Sequence, residues 1–359
     1  MATLDYGYEG RKGPLDVTEG NPDLPLVLLL HGTNGTKLDM VDPHAGPDND
    51  YANLAPLKPR VEIGPSSYPG VGVYSCCTLD DKLDRVRSWN EVLTANGFPT
   101  AVYSQVDNDG LLAEPVKELV AVVQALNTKY PNKPLVLLSH SRGGLLTRAF
   151  LKAFPKDAVT VRTVITLHSP HTGSSLATLA VTVRDAIEGL QSVFGDIVKQ
   201  ALGWLLHMAD TDAFREMAIG STFLTNLAAN EGPLKGMEYF TFGGVSVRLT
   251  RVRQWVYTLD SALPQWRSPP YDHARIETEV PIVSPLADSL PNVIDELTEG
   301  LGDLLTADSR TRLSFATHRT NPINHAEALW DPILQAQVLK ILGVDIPGGD
   351  RPGVPSFWG

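Results

Sequence analysis

The stretch Pro134 to Phe150, PLVLLSHSRGGLLTRAF, constrains this chain more than any other. Leu135 to Leu138 is an apolar run too short for a helix and bounded by a proline, so it reads as a buried strand. Leu145, Leu146, Ala149 and Phe150 recur at helical spacing, and Ser141 stands at the apex of the tight turn between the two. A strand that turns into a helix so abruptly forces its apex residue into strain. Small residues must stand two positions either side of it, as Ser139 and Gly143 do. Such an elbow holds up a nucleophilic side chain, and the usual Gly-x-Ser-x-Gly appears here with Ser139 in place of the first glycine. The rival reading is a phosphate-cradling turn, but the chain has no G-x-G-x-x-G and no Walker lysine.

The rest of the chain alternates in a way that suits this elbow. Leu24 to Leu30 is a continuous apolar run, as a central parallel strand covered on both faces requires, and His31-Gly32-Thr33 follows at once. A glycine there lets the backbone turn, so that the Thr33 N–H points into the crevice at the strand's carboxyl end. Asn34 to Thr78 reads as loop, with His44 a surface residue. A helix over 80–96, a strand over 100–104 and a helix over 114–129 lead to the elbow, and a strand over 159–167 follows it. His168 and His171, in the Pro-containing turn after that strand, read as structural residues orienting loops.

A strand over 237–242, a last strand at 313–316 and a last helix over 326–342 complete the pattern, which predicts an α/β fold with a mostly parallel, doubly wound sheet. The expected organisation is a core over 1–173, a helical cap or lid insertion at 174–236, and the second part of the core at 237–346. An irregular insertion at 245–301 interrupts that second part, and 347–359 reads as a mobile tail. Apolar stripes at Leu176, Leu179, Ala180 and Val183 and at Val193, Ile197, Ala201 and Leu205 give the cap its helices. Trp204, Leu205 and Leu206 would form an apolar underside, and helices packed permanently as core are the alternative. Trp255 and Trp266 are candidates to line an acyl pocket.

Net charge sets the partners. At −11 the chain repels nucleic acid and anionic membrane surfaces, so a neutral ligand or an uncharged polymer is expected. Cys76 and Cys77 are adjacent and provide no disulfide framework. The N-terminus lacks a signal-peptide core and no apolar run spans a bilayer, so a soluble protein is expected, cytoplasmic or secreted after loss of a signal.

A serine on an elbow stays a weak nucleophile until a base takes its proton and a carboxylate orients that base. His325, in NPINHAEALWDP between the last strand and the last helix, is the candidate base, with His318 its rival. Asp303 in GDLLT is the candidate acid, with Asp308 and Asp295 as alternatives.

Four patches, LLLHGT at 28–33, SHSRGG at 139–144, VITLHSPHTGS at 164–174 and GDLLTADS with INHAEAL near the end, resemble the α/β-hydrolases and, among them, the bacterial true lipases and esterases. The resemblance implies Ser141 as nucleophile, His325 as base, Asp303 as orienting acid, and the backbone amides of Thr33 and Arg142 as oxyanion donors. It implies a carboxylic ester hydrolase working through an acyl-enzyme on a lipid, polyester or small ester. Amide or lactone hydrolysis and acyl transfer are the alternatives. A noncatalytic binding protein of the same fold would lose a triad member, and this chain keeps all three. The family commonly has Asp-Gly at the acid, whereas Leu304 follows Asp303. No cofactor is expected. A structural calcium is the one ion the resemblance would bring, through Glu327, and the second carboxylate ligand has no match.

Overall fold

A computed structural model describes residues 2–33, 35–41, 71–72, 88–182, 211–256, 275–283 and 294–344. In chain order, β1 (Ala2–Tyr8), β2 (Arg11–Thr18) and β3 (Leu26–Leu30) precede α1 (Leu38–Val41), β4 (Val71–Gly72) and α2 (Trp89–Ala95). Next come β5 (Thr100–Val102), α3 (Ala113–Lys129), β6 (Leu135–His140), α4 (Arg142–Ala153) and β7 (Val161–Leu167). They are followed by α5 (Ser175–Thr182), α6 (Asp212–Met217), α7 (Thr222–Ala228) and β8 (Glu238–Gly244). The chain continues through β9 (Arg248–Val256), β10 (Arg275–Val283), β11 (Thr317–Asn321) and α8 (Pro332–Ile341).

Eight strands form one sheet in the order β1-β2-β5-β3-β6-β7-β8-β11. From β5 to β11 every neighbouring pair is parallel, and the β1–β2 hairpin adds antiparallel strands at one edge. The continuous apolar runs of β3 and β6 follow from burial on both faces. Leu26, Leu28, Leu30, Leu135 and Leu137 join a core with α3 and α4, while Val27, Leu29, Val136 and Leu138 join a second core with α2 and α8. Each such Leu or Val contributes about 1.5–3 kcal/mol by leaving water. The Trp89 indole N–H, donating to the Ala328 carbonyl at 2.9 Å, ties α2 to the loop before α8.

Three elements differ from the expectation. The N-terminal hairpin does not announce itself by an apolar run, because its strands alternate and, among the described side chains, bury only Tyr6, Leu15 and Val17. The stretch 245–301, expected as irregular, contains β9 and β10, which pair antiparallel with each other, while β9 also pairs with β4. Their β-branched residues at Val252, Val256, Ile276, Thr278, Val280 and Ile282 favour strand in spite of the surrounding prolines. The last strand is Thr317–Asn321, not 313–316. As an edge strand bonded only to β8 and partly exposed, it is polar and invisible to a search for apolar runs.

Between β7 and β8 the described elements are helices. Leu176, Ala177, Phe214, Met217, Leu224 and Leu227 from α5, α6 and α7 are buried in the same core as α3 and α4. Trp204, Leu205, Leu206, Trp266, His44, Cys76, Cys77 and the tail at 347–359 lie outside the described residues, and of Trp255 only the backbone within β9 is described. Among the described residues, no helix is long and apolar enough to cross a membrane.

Candidate active site

The parallel register brings the carboxyl ends of five strands to one edge. Leu30 pairs with Ser139, His140 with Leu167, Leu167 with Phe242, and Gly244 with Asn321. The residues that follow these ends are His31 to Thr33, Ser141, His168, and the loop that leads to His325. Ligands of open α/β sheets bind along such an edge.

Ser141 occupies the elbow as the sequence predicts. It is buried, caps the N-terminus of α4, and has φ 54° and ψ −129°, a conformation that is strained for any residue but glycine. Its N–H donates to the Leu167 carbonyl at 2.9 Å and its carbonyl accepts from Gly144 N–H at 3.0 Å, so neighbouring structure holds the strained turn. The need for a small residue at Gly143 comes from β3: a Cβ there would lie 2.6 Å from the His31 carbonyl oxygen and 2.9 Å from that of Leu30. Ser139, in the place of the usual glycine, is buried with its hydroxyl 2.9 Å from that of Thr147 on α4.

His325 and Asp303 are brought together. The His325 Nδ1 lies 2.9 Å from Asp303 Oδ2, and the His325 N–H donates to the Asp303 carbonyl at 2.8 Å. Asp303 Oδ1 accepts the N–H groups of Leu305 at 3.0 Å and Thr306 at 2.6 Å. Leu304, in the place of the family's usual glycine, takes the left-handed φ of 87° that a glycine would adopt without strain. Burial pushes the Asp303 carboxyl up, but the His325 charge and the hydrogen bonds from His168 and His325 outweigh it and hold the group well below the usual carboxylate range. An ionised carboxylate only accepts, so the His325 proton sits on Nδ1 and Nε2 carries the lone pair a base needs. That Nε2 is buried and has no partner among the described residues.

His168 departs from the expectation of a loop-orienting residue. Its Nδ1 lies 2.8 Å from the same Asp303 Oδ2, and its ring meets the His325 ring edge to face with centroids 5.9 Å apart. It sits at φ 52°, a left-handed conformation that costs on the order of 1–3 kcal/mol. His140, the residue before Ser141, also belongs here. Its Nε2–H donates to the His325 carbonyl at 3.0 Å and its ring lies 4.8 Å from that of His325, which ties the base's loop to the elbow. Burial, then the charges of His325 and His168, keep His140 well below the usual imidazole range. Neither contact is legible in sequence, since each depends on the register of strands far apart in the chain.

Thr33 and Arg142 flank the elbow. Arg142 opens α4, where the first backbone N–H groups have no partner inside the helix. Its side chain is buried and bonds the carbonyls of Asn108, at 2.7 Å, and Gly110, and the Glu216 carboxylate at 2.8 Å. The Thr33 hydroxyl donates to the same Asn108 carbonyl at 3.3 Å, so one loop connects both residues. His31 is anchored by its Nδ1–H to the Gly32 carbonyl at 2.8 Å and by its Nε2, which accepts the Gln105 N–H at 3.0 Å. Burial pulls it down to about 4.

The rivals pair elsewhere. Asp308 Oδ1 accepts from His318 Nε2 at 3.0 Å and from the Thr320 hydroxyl at 2.8 Å, while its Oδ2 pairs with Arg312 at 2.5 Å. The other ring nitrogen of His318 meets the Thr241 hydroxyl at 2.8 Å. Asp295 is exposed in a short 3-10 turn. His171 is buried, with Nε2 at 2.8 Å from the Thr166 hydroxyl and its carbonyl accepting from Arg148.

His168, Asp303 and His325 are the one group of three or more His, Cys, Asp or Glu donors that converge among the described residues, within 4.8 Å of one another. Two imidazoles do not suit calcium, which takes oxygen ligands. Glu327 lies outside that group. Its Oε2 accepts the Asn324 N–H at 2.8 Å and its own N–H donates to Asn324 Oδ1 at 2.9 Å, a reciprocal cap that fixes the loop carrying His325.

Comparison with known proteins bears on the fold and the family. Among solved structures, the chain is similar to the lipase BlEst2 of Bacillus licheniformis in its mature form, with a TM-score of 0.54 at 17% identity, covering 91% of this chain and 97% of that one. The propeptide form of the same lipase matches with a TM-score of 0.53 at 17% identity, over 95% of this chain and 56% of that one. At this identity the likeness is one of fold. No curated protein sequence matches significantly. The family model described as palmitoyl protein thioesterase matches residues 57–256, a span that contains Ser141 and His168 and ends before Asp303 and His325. Since that match covers more than half of the chain and the eight-stranded sheet carries a serine on its elbow, the chain belongs to the palmitoyl protein thioesterase family of α/β-hydrolases.

Proposed function

We propose that this chain hydrolyses carboxylic esters or thioesters through an acyl-enzyme on Ser141. One observation carries the reading: on the edge where Ser141 stands strained at the head of α4, a buried imidazole donates from Nδ1 to a buried carboxylate at 2.9 Å and keeps its Nε2 unpartnered. His325 Nε2 takes the Ser141 hydroxyl proton as Oγ attacks the acyl carbonyl carbon. Asp303 steadies the imidazolium that forms. The N–H groups of Thr33 and Arg142 receive the carbonyl oxygen as it becomes an oxyanion. The C–O or C–S bond then breaks, His325 returns the proton to the departing alkoxide or thiolate, and a water repeats the sequence to release the acid.

The family's name concerns palmitoyl thioesters, and a thioester presents the same acyl carbonyl to Ser141 as an oxygen ester does. A neutral acyl ligand also suits a chain of net charge −11. The test is a fluorophosphonate probe read by intact mass and peptide mapping. Labelling is expected at Ser141 alone, and Ser141→Ala should remove it and lower turnover by about 10⁴-fold or more. A chain-length series of p-nitrophenyl esters and acyl thioesters would then fix the acyl group. Label on another serine, or full turnover by Ser141→Ala, would overturn the assignment.

A further inference from the structure

We propose that His168 is a positioning residue for the acid of this site, its Nδ1–H sharing Asp303 Oδ2 with His325 so that the carboxylate stays ionised and aimed at the base. The inference rests on the reading of Ser141, Asp303 and His325 given above. Asp303 accepts four donors: His168 at 2.8 Å and His325 at 2.9 Å on Oδ2, and the amides of Leu305 and Thr306 on Oδ1. Without His168, the oxygen that faces the base would have a single partner.

Two features of the backbone favour this contact at their own cost. His168 holds a left-handed φ of 52°, pinned by its N–H donating to the Phe242 carbonyl at 2.8 Å. Beside it, β8 ends in Gly244, where a Cβ would lie 2.3 Å from His168 Cε1 and 2.8 Å from Asp303 Cβ. A ring that merely filled this space would not need a nitrogen. His168 instead buries both nitrogens, spends Nδ1 on Asp303, and leaves Nε2 without a partner among the described residues.

The electrostatic consequence has a definite sign. The charged and titratable groups facing His168 are Asp303 and Asp308 from the stretch before β11, His325 from the loop after it, and His140 from β6. Burial first, despite the hydrogen bond and charge of Asp303, holds His168 below the usual imidazole range, so it serves as a neutral donor. A neutral N–H on Oδ2 draws off part of the negative charge that would otherwise act wholly on His325. Removing it strengthens the hold of Asp303 on the protonated base, and the base then stays protonated to higher pH.

The test compares three variants by the pH dependence of kcat/KM on a short soluble ester. His168→Asn keeps a donor near the place of Nδ1 and tolerates a left-handed φ. It should keep the wild-type acid limb, with a rate within about threefold. His168→Gly and His168→Phe lack the donor, the first suiting the backbone and the second the space. Both should move the acid limb up by about half to one pH unit and lower the rate about 10- to 100-fold. An acid limb unmoved in either variant would overturn the proposal, whatever the rate, because a purely structural role predicts lost rate alone.

Should both variants fail to fold, nitrogen-15 NMR of the histidines in the wild-type protein decides. His168 as the neutral Nδ1–H tautomer is expected, and an Nε2–H tautomer would overturn the proposal. Fluorophosphonate labelling separates the two levels. A labelled Ser141 with unmoved limbs removes only the role of His168, whereas an unlabelled Ser141 removes the reading beneath it.

Discussion

At the scale of single residues, the choice between carboxylates can be argued from donors and acceptors. Asp303 is ringed by four N–H groups, two on each oxygen, and an asparagine there must turn its NH2 toward one of those pairs. Facing the imidazoles, it would drive His325 to the wrong tautomer; facing the amides, it would unmake the turn at Leu305 and Thr306. Asp303→Asn is therefore expected to lower kcat about 10⁴-fold. Asp308 holds His318, Thr320 and Arg312 together, away from His325, so Asp308→Asn should cost stability and leave kcat/KM within about tenfold of wild type. Steady-state kinetics beside urea melts of the two variants would check this. A nearly active Asp303→Asn with a dead but folded Asp308→Asn would reverse the assignment of the acid.

At the scale of elements, what the sequence reveals depends on how many faces of an element are covered. Strands β3, β6 and β7 lie inside the sheet with apolar neighbours above and below, so their runs of Leu, Val and Ile announce them. The β1–β2 hairpin and the polar β11 do not, because the hairpin strands bury only alternate residues and β11 is an edge strand bonded to β8 alone, and β9 and β10 break any apolar run with Arg248, Arg251, Arg253, Glu277 and Glu279. The site divides in the same way. Ser141 is legible because its turn is local, and Asp303 and His325 because their order along the chain is informative. His168 and His140 become partners of the site only through register and a left-handed backbone, which a single sequence does not encode in any local pattern. The buried pair between α4 and α6 is equally silent in sequence. Arg142 meets Glu216 Oε2 at 2.8 Å with both side chains almost wholly buried, and the same oxygen accepts the Leu112 N–H at 3.0 Å. Glu216→Ala would leave a guanidinium and an amide without their acceptor, at a cost of about 3–5 kcal/mol, with Glu216→Gln costing less because it keeps an acceptor. Urea denaturation would measure both, and a loss below about 1 kcal/mol for the alanine would mean that water solvates the pair.

At the scale of the whole molecule, buried histidines and net charge pull stability in opposite directions as pH falls. The chain carries −11 at neutral pH and a pI near 5.3, so mild acid relieves its self-repulsion and on that account should stabilise the fold. Against this, His31, His140, His168 and His171 are fully buried, and burial holds each below the usual imidazole range, His31 at about 4. A histidine whose folded pKa is depressed binds its proton more readily when unfolded. Its contribution is complete above the unfolded value of about 6.5 and is lost as pH falls toward the folded value. Each such group gives a slope of up to about 1.4 kcal/mol per pH unit, and four acting together outweigh the diffuse relief of surface repulsion, which salt screens. Asp303 acts in the same direction but outside this window, because its depressed carboxyl loses its contribution only below about pH 4. The urea midpoint is thus expected to fall steadily from about pH 7 to about pH 4.5, and to fall more steeply at high salt, where the opposing relief of surface repulsion is screened. A midpoint that held level or rose toward the pI would mean that these imidazoles take up protons in the folded protein, and with them the neutral Nδ1–H donors assigned around Asp303 would be lost.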